Sequence, residues 1–200
     1  MISAADLDGD GDMDMVCGST FDIRVYLNNG GTFTRRPLNR ITNDARGVCH
    51  GDFDGDGDTD MMAVGGLHMT WYQNDGTGEL TPHILREGPA RIQVGGGQVM
   101  RTTDLDGDGD DDAVLCERSG DKVSWIENLG GGSFTKRTVH FLNDAYSCEP
   151  VDFDGDGDMD VVASSMNDGA IYWYDNNGSE VFTQRPVNAT YPEPYEVRPL

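Results

Sequence analysis

Basic residues are scarce in this 200-residue chain: Lys and Arg number 14 against 36 Asp and Glu, for a formal charge of -22. A nucleic-acid backbone or an anionic bilayer surface is recognised through a basic footprint, so both are excluded as expected partners. No apolar run approaches the roughly 20 residues of a membrane-spanning helix, which excludes direct insertion by that route. Met1 leads straight into a repeat without a leader pattern, so export has to be argued from other features. No useful stretch carries the apolar period of an amphipathic helix. HExxH, GxSxG, P-loop and CxxC signatures are missing, and His50, His68, His83 and His140 are scattered. No catalytic or cofactor-binding residue is therefore assigned. Cysteines number only four. Cys17 to Cys49 and Cys116 to Cys148 share a spacing of 32, which invites two equivalent disulfides. Cys17 lies three residues past its loop and Cys116 four, however, and a strand changes face at each residue, so buried thiols stay open as the alternative.

What is present is one acidic nonamer, four times: DLDGDGDMD from Asp6, DFDGDGDTD from Asp52, DLDGDGDDD from Asp104 and DFDGDGDMD from Asp152. These loops hold 21 of the 36 acidic residues and no basic one. Calcium takes six to eight oxygen ligands at about 2.3 to 2.6 Å. Alternate side chains of a tight loop can converge on such an ion while Gly supplies the bends. The expected sites are Asp6, Asp8, Asp10, Asp12 and Asp14; Asp52, Asp54, Asp56, Asp58 and Asp60; Asp104, Asp106, Asp108, Asp110 and Asp112; and Asp152, Asp154, Asp156, Asp158 and Asp160. Positions one, three and five offer side chains, position seven its carbonyl, and position nine closes the shell. An EF-hand would place Glu at position twelve, where Cys17, Ala63, Leu115 and Ala163 stand. Each loop is flanked by short apolar strands, so the expectation is four calcium ions, each inside a β-hairpin.

The loops recur at intervals of 46, 52 and 48 residues, a period of propeller blades or solenoid units. In each unit one strand enters the loop (Ile2 to Ala5, Gly47 to Gly51, Val99 to Thr103, Ser147 to Val151) and an apolar strand leaves it. An aromatic strand follows, with Trp71, Trp125 and Trp173 in matching places and Val25 in the first unit. After a turn at Asn28, Asn74, Asn128 or Asn176, a fourth strand begins at Phe33, Leu80, Phe134 or Phe182. The expected fold is all-β: a propeller of four-stranded antiparallel blades. Blades span about 1–46, 47–97, 98–146 and 147–196, and 197–200 begin a further inner strand. A closed ring of four would hold one inner strand too many, which favours part of a larger propeller or association of two chains. The tryptophans read as packing between blades, with sugar stacking as the minor alternative. Arg35, Arg36, His83, Lys136, Arg137 and Arg185 read as protection of an exposed edge.

On these nonamers and the strands WYQND from Trp71 and WYDNN from Trp173, nearly the whole chain resembles the FG-GAP and VCBS repeats, related to the calcium-binding blades of integrin α-subunits. The departures are Val25 and the additional Asp111 in the third loop. The resemblance implies a β-propeller of secreted or cell-surface proteins. Extracellular calcium modules also work at the concentrations found outside cells.

The expected function is therefore a non-catalytic, calcium-stabilised module for adhesion or for binding a protein or carbohydrate. Its ligand face lies opposite the calcium hairpins, on loops that carry Phe21, His68, Arg118 and Asn167 and, between blades, Arg46, Arg91, Tyr146 and Tyr195. The alternative is the propeller portion of a polysaccharide lyase or hydrolase, with His50 beside Arg101 or Glu149 as acid or base. A spacer without any ligand is a third reading. Asn188-Ala189-Thr190 is a glycosylation sequon only in a eukaryotic secretory setting.

Overall fold

The computed structural model describes residues 2–18, 23–38, 45–65, 68–87 and 90–188. Phe21, Tyr195, Ala189 and Thr190 of the sequon, and residues 197–200 fall outside them.

Apolar residues alternating across short strands, with Gly and Asn at the turns, give four antiparallel meanders. The first is β1 (Ile2–Ala5), β2 (Asp14–Gly18), β3 (Ile23–Asn29) and β4 (Thr32–Arg36). The second is β5 (Ala45–Gly51), β6 (Asp60–Gly65), β7 (His68–Asn74) and β8 (Leu80–Ile84). A two-residue ribbon, β9 (Arg86–Glu87) with β10 (Ala90–Arg91), takes up the extra length of this unit. The third is β11 (Gly97–Thr103), β12 (Asp112–Glu117), β13 (Lys122–Asn128) and β14 (Phe134–Phe141), and the fourth is β15 (Ala145–Val151), β16 (Asp160–Ser165), β17 (Ala170–Asn176) and β18 (Phe182–Asn188). Three inner strands begin two residues earlier than the sequence suggests, because bulges after Ala45, Gly97 and Ala145 carry the pairing past an irregular residue.

Each sheet is a propeller blade, and β5, β11 and β15 pack side by side as successive inner strands. The two faces of a strand serve different neighbours. Met61 and Ala63 of β6 join the core shared with the first blade, whereas Met62 and Val64 join the core shared with the third. Covered on both faces, β6 and β12 are buried along their whole length. Three such cores hold the array, and burying each large side chain in them contributes about 1.5–3 kcal/mol. The four sheets do not close into a ring among the described residues.

Register also decides the cysteines. Cys49 belongs to the core between blades two and three, while Cys17 pairs with Ile2 on the first blade's outer side, so the two face different directions. Cys116 and Cys148 meet in the core between blades three and four. All four are free thiols.

Candidate metal centre

Each nonamer folds around its first Asp. Asp6 accepts hydrogen bonds from the amides of Gly9 (2.8 Å) and Gly11 (3.0 Å), and Asp52, Asp104 and Asp152 repeat this with their own glycines. Positions four and six have positive φ in all four loops, from 70° at Gly9 to 98° at Gly109 and Gly157, which is why Gly occupies them. The fifth-position carboxylates accept from the amide two residues on, as in Asp12 to Asp10 at 2.9 Å.

This wrapping gathers carboxylate oxygens. Oxygens within 4.8 Å of one another come from Asp6, Asp8 and Asp10; from Asp52, Asp54 and Asp60; from Asp104, Asp106 and Asp108; and from Asp152, Asp154 and Asp156. Desolvation, then repulsion from neighbouring carboxylates, raises the carboxyls of Asp8 and Asp58 above the ordinary range. Burial is likewise the largest cause of the upward shifts at Asp106 and Asp154, with repulsion adding to it. One oxygen of Asp8 is buried without a hydrogen-bond partner. An all-oxygen set with an orphaned buried carboxylate oxygen fits a hard divalent cation such as calcium.

The seventh-position side chains turn away toward the Asn/Gly turn. Asp12 accepts from the amide of Gly30 at 2.7 Å, and a Cβ on Gly76 or Gly178 would stand 2.6 or 2.5 Å from Asp58 or Asp158. Position seven therefore offers an ion only its carbonyl.

Of the ninth-position residues Asp14, Asp60, Asp112 and Asp160, only Asp60 is gathered with its loop's other carboxylates, and all four make contacts that the sequence did not disclose. Asp60 accepts from the amides of Phe53 (3.2 Å) and Asn74 (2.7 Å) and from the Trp71 indole (2.9 Å). Asp160 repeats the set with Phe153, Asn176 and Trp173. The carboxylate thus latches its loop to the third strand. Burial pushes the Asp60 carboxyl up to about 6 and that of Asp112 to about 7.

A second latch runs between blades. Asn74 donates to the carbonyls of Thr59 and of Leu7 in the preceding loop. Asn128 does the same to Asp111 and Phe53, and Asn176 to Met159 and Leu105. Sequence reading assigned these asparagines only to turns. The extra Asp111 also has a structural use: it accepts from the Asp52 amide at 2.9 Å, and a Cβ on Gly51 would lie 2.5 Å from its carboxylate.

Residues just before the asparagines were missed as well. Gln73 donates to Asp54 at 2.6 Å, and Glu127 brings an oxygen within 4.8 Å of Asp106 and Glu180. Arg137 pairs with both Glu127 and Glu180.

Basic residues of the fourth strands, which are the edge strands of their sheets, also lie against tryptophans in blades two to four. His83 lies 4.9 Å from Trp71, Arg137 5.4 Å from Trp125 and Arg185 5.0 Å from Trp173. Trp71 and Trp125 are buried, which leaves no open stacking face there. Lys136 reaches the buried Glu117 at 2.6 Å and the Gln93 carbonyl at 2.6 Å, and so holds the segment after β10.

On the opposite loops, Arg118 pairs with Asp144 at 2.6 Å and lies 5.6 Å from the Tyr146 ring. Asn167 joins Asn143 near them, whereas His68, in the second unit, bridges to Gln93 of that same unit. In the inner strands, His50 bonds to Ser3 and its pKa falls to about 4 through burial. Arg101 and Glu149 pair with each other at 2.7 Å. A cleft of about 360 Å³ separates the third and fourth loops, between Asp104 and Asp106 on one side and Asp158 and Met159 on the other.

Four-stranded blades, each carrying an acidic loop between its first two strands, define a β-propeller repeat protein. The FG-GAP-like repeat model matches residues 6–63, 104–163 and 152–197, and the chain belongs to that family. No curated protein matches it. Among solved structures it is similar to an Agrocybe aegerita lectin that recognises non-reducing terminal N-acetylglucosamine, at 23% identity and a TM-score of 0.62 over 96% of this chain and 53% of that one. It is similar to BBS1N in complex with ARL6DN at 13% identity and a TM-score of 0.64, over 95% and 56% of the two chains. An auxiliary nutrient binding protein from Bacteroides ovatus aligns at 14% identity and a TM-score of 0.58, over 90% and 46%. The chain thus spans about half the length of these proteins.

Proposed function

We propose that the chain is a non-catalytic propeller module of secreted or cell-surface type, stabilised by calcium in its four loops, that binds a carbohydrate or protein. The observation that carries this reading is the fourfold gathering of carboxylate oxygens in loops without a basic residue, with an Asp8 oxygen buried and unpaired in the first. Asp6, Asp8 and Asp10 and their counterparts would hold the ion with the seventh-position carbonyls, and the ninth-position Asp would complete the shell. Calcium would supply the positive charge that cancels repulsion within each loop. The latches would then carry that stabilisation into the sheets and across blades. No helix among the described residues is long and apolar enough to cross a membrane, and the family is usual in extracellular proteins.

The lectin likeness supports carbohydrate as a ligand class, and the loops around Arg118, Tyr146 and Asn167 offer Arg, aromatic and amide groups on a rigid support. Binding to a panel of neutral and acidic glycans tests this, with turnover followed in the same samples. Calcium-dependent binding without turnover supports the module. Cleavage of an acidic polysaccharide would transfer the argument to the enzyme reading, and failure to bind any glycan leaves a protein ligand.

A further inference from the structure

The eighth residue of a nonamer shapes the junction with the loop before it. Asp111, in loop three, accepts from the Asp52 amide at 2.9 Å and lies against Gly51, so a carboxylate occupies the junction with loop two. Loop four has Met159 in that place. A thioether is only a weak acceptor, and Met159 packs against the core shared by blades three and four. The cleft of about 360 Å³ stands at this junction.

Its walls combine two chemistries. Leu105 and Met159 supply apolar surface, Asp104, Asp106 and Asp158 supply three carboxylates, and no basic residue among the described ones lines it. Asp158, at position seven, offers its own loop only a carbonyl, which leaves its carboxylate to the cleft. Loop three carries six Asp, so even with a divalent ion bound its charge is -6 + 2 = -4.

A buried amide beside the cleft points to a ligand independently. Asn176 Nδ2 donates to the carbonyls of Leu105 (3.1 Å) and Met159 (3.0 Å) and so joins the two walls. In the other three blades the oxygen of this amide accepts from a glycine of the turn that follows: Gly31 for Asn28, Gly78 for Asn74 and Gly130 for Asn128. The Asn176 oxygen accepts from no group among the described residues, although Asn176 is only 1% exposed. The glycine of its own turn, Gly178, lines the cleft instead. A buried acceptor without a donor is costly, and a ligand that brings a donor removes that cost.

We infer that the cleft between loops three and four binds an alkylammonium group, that of a lysine side chain or of a free diamine, with its methylenes along Leu105 and Met159 and its N–H donors shared among the wall carboxylates and the Asn176 oxygen. An ammonium has three donors and no acceptor, which matches carboxylates and an unused amide oxygen. Charge-assisted bonds to carboxylates are stronger than neutral ones, which favours the cation over a polyol of the same length. A methylene stem lies on apolar surface while its charged head stays with the polar groups. This site stands at the loop ends of the blades, away from Arg118 and Tyr146, and is separate from the ligand face proposed above.

Titration of the isotope-labelled full chain with cadaverine in calcium, followed by amide NMR shifts, tests the inference. Saturable shifts are expected at Gly107, Gly157 and Gly178, with binding about tenfold weaker for the uncharged diol of the same length. Asp158→Asn should weaken cadaverine binding about tenfold and leave the calcium count unchanged, since the loop uses only the carbonyl there. Asp58→Asn, the same change in loop two, should leave cadaverine binding as it was. Nα-acetyllysine methylamide distinguishes the two sources: its binding supports a protein lysine, and binding of cadaverine alone supports a free diamine. Absence of saturable shifts, equal binding of the diol, or equal losses in the two variants overturns the site. Calcium is counted in the same samples, so failure of the cleft and failure of the metal reading are told apart.

Discussion

The side-chain amide of Asn128 donates at 3.0 Å to the carbonyl of Phe53, 75 positions earlier, and so ties the third blade to the loop of the second. Its other bond, to the Asp111 carbonyl, fastens the same amide to its own loop. Asn128→Ala leaves the buried Phe53 carbonyl and the part-buried Asp111 carbonyl without these donors, at a cost of about 2 kcal/mol. Denaturant unfolding in calcium measures that loss. Because Phe53 lies inside the second nonamer, calcium affinity of that loop should fall as well.

Trp71 and Trp173 occupy matching places in unlike surroundings. Both indoles donate to a ninth-position Asp, but only Trp71 lies in a core between two blades. Trp71→Phe should destabilise by about 1–3 kcal/mol through the lost donor and the space left behind. Trp173→Phe should cost less, because Trp173 is only half-buried. Thermal melts of the two variants give the comparison.

The buried latches make the metal-free chain sensitive to pH. Asp60 and Asp112 have folded values of about 6 and 7, against 3.8 when exposed. The folded state therefore binds more protons between about pH 4 and 7, and stability in chelator falls as pH rises through that window. Each group contributes at most about 1.4 kcal/mol per pH unit. Asp112→Asn, which cannot ionise, should reduce the slope. Calcium should reverse it, because protons then compete with the ion. Urea titrations at several pH values, with and without chelator, check both signs.

Thiol reactivity follows from which blade face each cysteine occupies. Cys17 is half-buried on the first blade's outer side; Cys49, Cys116 and Cys148 are buried. Burial raises the Cys49 thiol to about 12 and raises Cys116 as well. Brief alkylation of the native chain should label Cys17 alone, and labelling after denaturation should reach all four. Peptide mass spectrometry reads the result.

The strand order, the Gly positions and the carboxylate convergence were legible because a nonamer fixes its own turn and a period of two fixes a strand. The ribbon at Arg86–Glu87 and Ala90–Arg91 was not, since two residues carry no period. Nor were the latches: an Asn at a turn looks the same whether or not it reaches a carbonyl in the previous blade. Lys136 and Arg137 do sit on an edge strand, but their ion pairs were not legible, because adjacent strand positions say nothing of a buried Glu117 or of Glu127 on the neighbouring strand. The unequal cysteine registers, by contrast, anticipated that Cys17 and Cys116 face different surroundings.

Calcium titration of the chelator-treated chain, with bound ions counted by native mass spectrometry and melting followed alongside, tests the account most directly. It predicts four ions per chain and a melting temperature that rises as they bind. A chain that takes up no calcium, or takes it up without any change in melting, would contradict calcium as the element that stabilises the blades.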